Sequence, residues 1–168
     1  GQMSWVPVPP SPSTLYEIDD RGSWYWLKIT SIDRYAEVLR SDDEGETWQQ
    51  ALRFYGEFSW GPLTVSGPRV YVNTPGGRWQ NSDYPGGLMV SADQGRSWIH
   101  AGTNNPRSWV VEGNTVYAAG GDGLSRSDDG GVSWRVIVDD EWAPYAQSLA
   151  RHSGSLYAAA WRGSTVGP

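Results

Sequence analysis

Apolar and polar positions alternate along this chain in short runs, each bounded by Gly, Pro, Asn or Asp. Leu63-Thr-Val65, Trp109-Val-Val111 and Ser148-Leu149 each lead into a turn glycine, at Gly67, Gly113 and Gly154. Each of these glycines is followed by a run carrying tyrosine: Tyr71 before Val72-Asn-Thr74, Tyr117 before Ala118-Ala119, and Tyr157 before Ala158-Ala159-Ala160. Gly22 and Tyr25, ahead of Trp26-Leu-Lys-Ile29, form an earlier copy. No long helical period interrupts this pattern. Short strands with regular turn signals predict an all-β repeat fold. The unit reads as strand A, a turn, a tyrosine-bearing strand B, a loop, strand C, a second turn, and a strand D begun by tryptophan.

The second turn carries the sharpest signal. Ser41-Asp-Asp43-Glu-Gly45-Glu-Thr47-Trp48, Ser91-Ala-Asp93-Gln-Gly95-Arg-Ser97-Trp98 and Ser127-Asp-Asp129-Gly-Gly131-Val-Ser133-Trp134 all fit S-x-D-x-G-x-[ST]-W. An internal repeat of this kind sets the architecture before any other feature. An Asp carboxylate accepts hydrogen bonds from backbone N–H groups two residues on. Gly supplies a positive φ without steric cost. The hydroxyl ties the two sides of the turn together, and the Trp brings a large apolar area to bury. The motif predicts a hairpin tip stapled by its own side chains. Asp43, Asp93 and Asp129 are therefore read as structural rather than as catalytic or metal-binding acids.

This pattern resembles the Asp-box, or BNR repeat, of sialidase-like, sortilin-like and photosystem II assembly-factor-like β-propellers. The resemblance spans nearly the whole chain as repeats. It implies a hairpin between the third and fourth strands of each blade, at the periphery and away from any active site. Sialidase activity would further require an arginine triad, a Tyr–Glu pair and an F/Y-R-I-P motif. No such motif occurs here.

Four B strands but only three turn motifs raise a question of closure. Ser4-Trp5-Val6-Pro-Val8 matches the D strands, while Gly163-Ser-Thr-Val166 stands where a fourth strand C belongs. The expectation is a small propeller of four blades of four antiparallel strands, its N-terminal strand closing the last blade. Closure of this kind protects sheet edges, and Pro7, Pro9 and Pro10 suit an outermost strand. The blades would run from about 14 to 54, 59 to 102, 107 to 139, and 145 to 168 together with 2 to 8. A fragment of a larger propeller, or a ring closed by oligomerisation, are the alternatives. Ala118, Ala119, Ala158 and Ala159 would allow tight packing near a narrow axis.

A length of 168 residues suits one domain with a sizeable core. The 21 Gly and 11 Trp fit tight turns between aromatic strands. The formal net charge of −6 argues against a nucleic-acid partner, which needs a basic stripe. No apolar run is long enough for membrane insertion as a helix, and no segment has the form of a signal peptide. The absence of Cys removes disulfides and thiol chemistry. The compartment stays open: the resemblance leans to an extracellular or cell-surface setting, and a native start at Met3 would place the chain in the cytoplasm. A ring closed within the chain implies a monomer.

Candidate chemistry gathers in the D–A and B–C connections, which share one end of a propeller. The B–C connection of the second repeat is an outlier in length, from Thr74 to Gly87, and a long insertion on a repeat scaffold is often functional. It carries Arg78, Trp79, Asp83 and Tyr84. The D–A connections add Trp60, Trp109 and Trp142. Aromatic faces beside short polar groups suit a sugar ring, and Trp, Tyr and Arg also dominate protein interfaces. Packing between blades is the other role for each; Trp79 and Tyr84 are evenly balanced, and Trp60 and Trp109 lean to packing. Adjacent acids, Asp19-Asp20 and Asp139-Asp140-Glu141, read as solvated turns. His100 and His152 lack metal-ligand spacing, so neither a metal nor any other cofactor is expected. The leading reading is a non-enzymatic module that recognises a glycan or a protein surface. A glycan-active hydrolase or lyase using loop carboxylates such as Asp83 and Asp140, and a structural or assembly scaffold, are the alternatives.

Overall fold

A computed structural model describes residues 16–19, 21–30, 35–56, 63–74, 77–79, 82–84, 86–102, 106–120, 123–139 and 146–160, with the backbone alone at 16, 29–30, 56, 77–79 and 82–84. Sixteen strands and no helix occur among them. The first repeat forms β1 (Tyr16–Ile18), β2 (Trp24–Thr30), β3 (Tyr35–Ser41) and β4 (Gln49–Gly56). The second forms β5 (Leu63–Ser66), β6 (Arg69–Thr74), β9 (Gly87–Ser91) and β10 (Ile99–His100), with β7 (Gly77–Trp79) and β8 (Ser82–Tyr84) inserted before β9. The third forms β11 (Ser108–Glu112), β12 (Thr115–Gly120), β13 (Gly123–Ser127) and β14 (Arg135–Val138). The fourth contributes β15 (Ala146–His152) and β16 (Ser155–Ala160).

Every pairing is antiparallel, and within each repeat the strands lie in the spatial order A, B, C, D. These are the four blades of an all-β propeller. The turn motifs fall between strands C and D of the first three blades, with each Trp just ahead of the D strand rather than inside it. The closing strand expected at 2–8 and the strand-C candidate at 163–166 lie outside the described residues.

The core sits between blades rather than inside any one of them. Tyr25, Leu27, Val38, Leu52 and Phe54 of blade one pack with Leu63, Val70, Val72 and Met89 of blade two. Tyr71, Leu88, Val90 and Ala101 of blade two pack with Trp109, Val116 and Ala118 of blade three. Tyr117, Ala119 and Leu124 of blade three pack with Ala146 and Leu149 of blade four. The period of two explains this division. Successive side chains on a strand point to opposite faces, so Val70 and Val72 meet the preceding blade while Tyr71 meets the following one. β6, β9 and β12 are buried on both faces and read as nearly continuous apolar runs. Ala118 and Ala119 are buried as tight packing requires, whereas Ala158 and Ala159 are exposed.

The long B–C connection of blade two is not a plain loop. β7 and β8 form a hairpin, with Arg78 opposite Asp83 and Trp79 opposite Ser82. β7 then pairs with the end of β4 through Tyr55 and Gly56. An insertion from blade two thus adds two strands to the sheet of blade one.

Candidate functional site

The three turn motifs repeat one hydrogen-bond plan. In the first, the Ser41 hydroxyl donates to Asp43 Oδ1 at 2.7 Å and accepts the Gly45 N–H at 2.8 Å. The Thr47 N–H donates to Asp43 Oδ1 at 2.8 Å and the Thr47 hydroxyl to Oδ2 at 2.5 Å. Ser91, Asp93, Gly95 and Ser97 repeat these contacts. So do Ser127, Asp129, Gly131 and Ser133. Two consecutive residues take positive φ in each copy: Glu44 and Gly45, Gln94 and Gly95, Gly130 and Gly131. The Nε1–H of Trp98 donates to Gly95 O and that of Trp134 to Gly131 O, which fixes each indole across its own turn.

These contacts set the acidity of the three carboxyls. The Thr47 hydroxyl and N–H, with Ser41, hold Asp43 down at about 2. Burial pushes Asp93 up, but the bonds from Ser97 and Ser91 outweigh it and leave it at about 2. Ser133 and Ser127 lower Asp129 in the same way. A carboxyl so stabilised as an anion is a poor proton donor or acceptor near neutral pH. The motif acids therefore do turn chemistry.

The motif end of the propeller also joins the blades. Arg40 Nη1 of blade one donates to Gln94 O of blade two at 2.8 Å, and Trp98 Nε1 to Ala51 O at 3.0 Å. Arg69 of blade two donates to Asn114 Oδ1 of blade three, and the Tyr71 hydroxyl to Gly130 O. Arg151 of blade four donates to the Tyr117 hydroxyl at 2.7 Å and pairs with Glu112 of blade three. Within blades two and three, the Gln94 N–H donates to Pro68 O and the Gly130 N–H to Asn114 O, so these two A–B turns hold their neighbouring motifs.

A further contact, missed in the sequence reading, has a signal in the repeats themselves. Arg40-Ser41-Asp42 and Arg126-Ser127-Asp128 share a spelling, and in both the arginine donates Nε and Nη2 to the aspartate. The second copy reads Val90-Ser91-Ala92 and loses both partners together. The cross-blade bonds of Arg40 and Arg69 carry no such signature, because backbone carbonyls and side-chain amides accept them irrespective of motif.

The other end bears the D–A and B–C connections. Arg78, Trp79, Asp83 and Tyr84 lie on the β7–β8 hairpin, which brings their backbones together beside the end of β4. Trp60 and Trp142 lie outside the described residues. Trp109, a candidate that leaned to packing, is 7 % exposed and packed among Tyr71, Leu88, Val90 and Val116. It sits on the face of β11 turned to blade two, where burying its ring area outweighs leaving its Nε1–H without a hydrogen-bond partner.

Among the described residues no group of three or more His, Asp or Glu is placed to hold a metal ion. Asp19 is buried and accepts from the N–H groups of Arg21 and Ser23 and from the Tyr25 hydroxyl. Asp20, Asp140 and Glu141 lie outside the described residues. A shallow recess of about 240 Å³ on blade three is lined by Arg126, Asp128, Asp129, Ser133, Trp134 and Arg135. Its carboxylates are already engaged, Asp128 by the two arginines and Asp129 by its own turn.

No family model matches this sequence, and no curated protein does. Solved structures do match in fold. YCF48 from Cyanidioschyzon merolae aligns at TM-score 0.52 and 16 % identity, over 80 % of this chain and 42 % of that one. A structure of YCF48 bound to D1 peptide aligns at TM-score 0.56 and 16 % identity, over 95 % of this chain and 52 % of that one. The chain thus spans about half the length of the structures it matches. The likeness, with the strand order and the inter-blade cores, establishes the β-propeller fold.

Proposed function

We propose that this chain is a non-catalytic protein-binding scaffold that takes a peptide segment of its partner on the end carrying the D–A and B–C connections. The observation that carries this reading is the unequal use of the two ends. At the motif end the polar groups are spent on turns and blade contacts. At the other end the β7–β8 hairpin adds structure that the blades themselves do not need. A propeller of the same fold, YCF48, has been solved bound to D1 peptide, which supports a peptide as the class of ligand. Arg78, Trp79, Asp83 and Tyr84 on the hairpin, with Trp60 and Trp142, have the side-chain chemistry of interface anchors. The aromatic residues that suggest a glycan serve a peptide equally well, and no further observation favours a sugar.

The test is to pan a displayed peptide library against the purified chain and measure a selected peptide by fluorescence anisotropy. Trp79→Ala and Trp60→Ala should each weaken binding by tenfold or more, as anchor truncation does, with the circular-dichroism spectrum unchanged. Failure to select any peptide, or a selected peptide indifferent to both substitutions, would overturn the reading. A glycan array in parallel, if it alone gave binding, would transfer the site to sugars.

A further inference from the structure

The outermost strand of a sheet turns a row of backbone N–H and C=O groups away from its neighbour, and such an edge recruits further strands unless it is covered or cut short. Blades one and two show one device each. β4 of blade one is covered at its end by β7, which pairs with it at Tyr55 and Gly56. β10 of blade two is only two residues long, Ile99–His100. β14 of blade three has neither protection. It runs from Arg135 to Val138, and among the described residues it is the last strand of its sheet. It is also apolar where it is exposed: Val136 is 51 % exposed and Ile137 37 %. Unpaired natural edges more often carry Lys or Pro at such places.

The stretch is complementary to itself. Arg135-Val-Ile-Val-Asp139 reads as a cation, three β-branched residues and an anion, and both charged residues are exposed. Laid antiparallel on a second copy, Arg135 stands opposite the partner's Asp139, Val136 opposite the partner's Val138, and Ile137 opposite itself on a twofold axis. Opposite charges and β-branched pairs facing each other are the contacts that stabilise antiparallel strands. The ladder against β13 suits Ile137 to that place. Leu124 pairs with Val138 and Ser125 with Val136, so Ile137 is an extra residue with no counterpart on β13. β4 carries a bulge of the same kind, at Ala51 between Gln50 and Leu52, and still accepts β7. Arg135 reaches Asp128 at 3.5 Å, a long contact between exposed groups, so its guanidinium can serve a second carboxylate.

We infer that β14 is the interface of a homodimer, in which the Arg135–Asp139 stretches of two copies pair antiparallel across a twofold axis. The two blade-three sheets then run together as one continuous sheet. The contact uses the outer edge of a blade and neither end of the propeller, so it stands apart from the peptide reading above. An isologous contact of this kind closes after two copies, because each chain has spent its one matching edge.

Sedimentation equilibrium of the intact chain over a range of concentrations tests this. The mass should rise from 18.5 kDa toward twice that value and stop there. Ile137→Lys and Val136→Lys, each at an exposed site, should weaken dimerisation by about tenfold or more, because a lysine on a strand edge opposes a second strand. Their circular-dichroism spectra should be that of the parent. Arg135→Asp should weaken it likewise by setting like charges opposite each other. Adding Asp139→Arg to Arg135→Asp restores opposite charges in reversed order and should recover dimerisation, which a merely destabilising change would not allow. Ile99→Lys, at an exposed site on β10, should leave the dimer intact. A parent that stays monomeric at every concentration overturns the inference and leaves the edge to a strand of a different protein. A dimer indifferent to Ile137→Lys overturns it too, as do a double swap that fails to recover and a mass that grows past two copies.

Discussion

At the scale of the residue, the chain commits its acids to geometry. Asp43 and Asp93 titrate at about 2 in the folded protein, against about 3.9 in an unfolded chain. A depressed folded value means that the native state binds the proton later than the unfolded state. The stability these groups contribute is complete above about pH 4 and drains away as pH falls toward 2. The denaturation midpoint should therefore hold level from neutrality to about pH 4 and then fall. Asp43→Asn with Asp93→Asn should lower the plateau and flatten the acid limb. An acid limb of unchanged steepness in that double variant would show that the turns do not depend on the carboxylates. The motif spelling predicted these roles because Ser, Asp, Gly and the second hydroxyl each meet a need inside eight residues. For Trp109 the sequence leaned to packing, and the ring is buried against a neighbouring blade that no motif spells out.

At the scale of the element, the same residue type at the same repeat position has opposite weight. Tyr71 is fully buried between blades two and three, and its hydroxyl bonds to Gly130 O; burial pushes that hydroxyl up to about 12. Removing a buried aromatic ring costs about 3–5 kcal/mol. Tyr71→Ala should lose stability of that order by chemical denaturation in dilute solution. Tyr157→Ala, from an exposed site, should stay within about 0.5 kcal/mol of the parent under the same conditions. Comparable losses at both positions would contradict the difference in burial between the two rings. Sequence periodicity found the four B strands and the A strands of blades two to four, since turn glycines and alternating apolar residues mark them locally. The β7–β8 hairpin escaped notice because its pairing with β4 joins residues of different blades, and no local pattern encodes that register.

At the scale of the whole molecule, a row of blades shares its core between neighbours, much as stacked repeats do. One end of that row is knitted by motif turns and cross-blade bonds from Arg40, Trp98, Arg69 and Tyr71. The other end holds the connections, the inserted hairpin and the residue types suited to a partner. That division follows from strand topology, because alternate connections of an antiparallel blade emerge at opposite ends. It was legible once the repeat unit was recognised. The chemistry of the loops was legible only as residue types, since a side chain's role there depends on which connections meet.

The central claim is that partners engage the connection end and leave the motif end untouched. Hydrogen exchange of the chain with and without a selected peptide tests it most directly. The account predicts new protection at the β7–β8 hairpin and the D–A connections, with amides of the three motif turns, such as Gly45, Gly95 and Gly131, exchanging as before. Protection centred on the motif turns, with the hairpin unaffected, would contradict it.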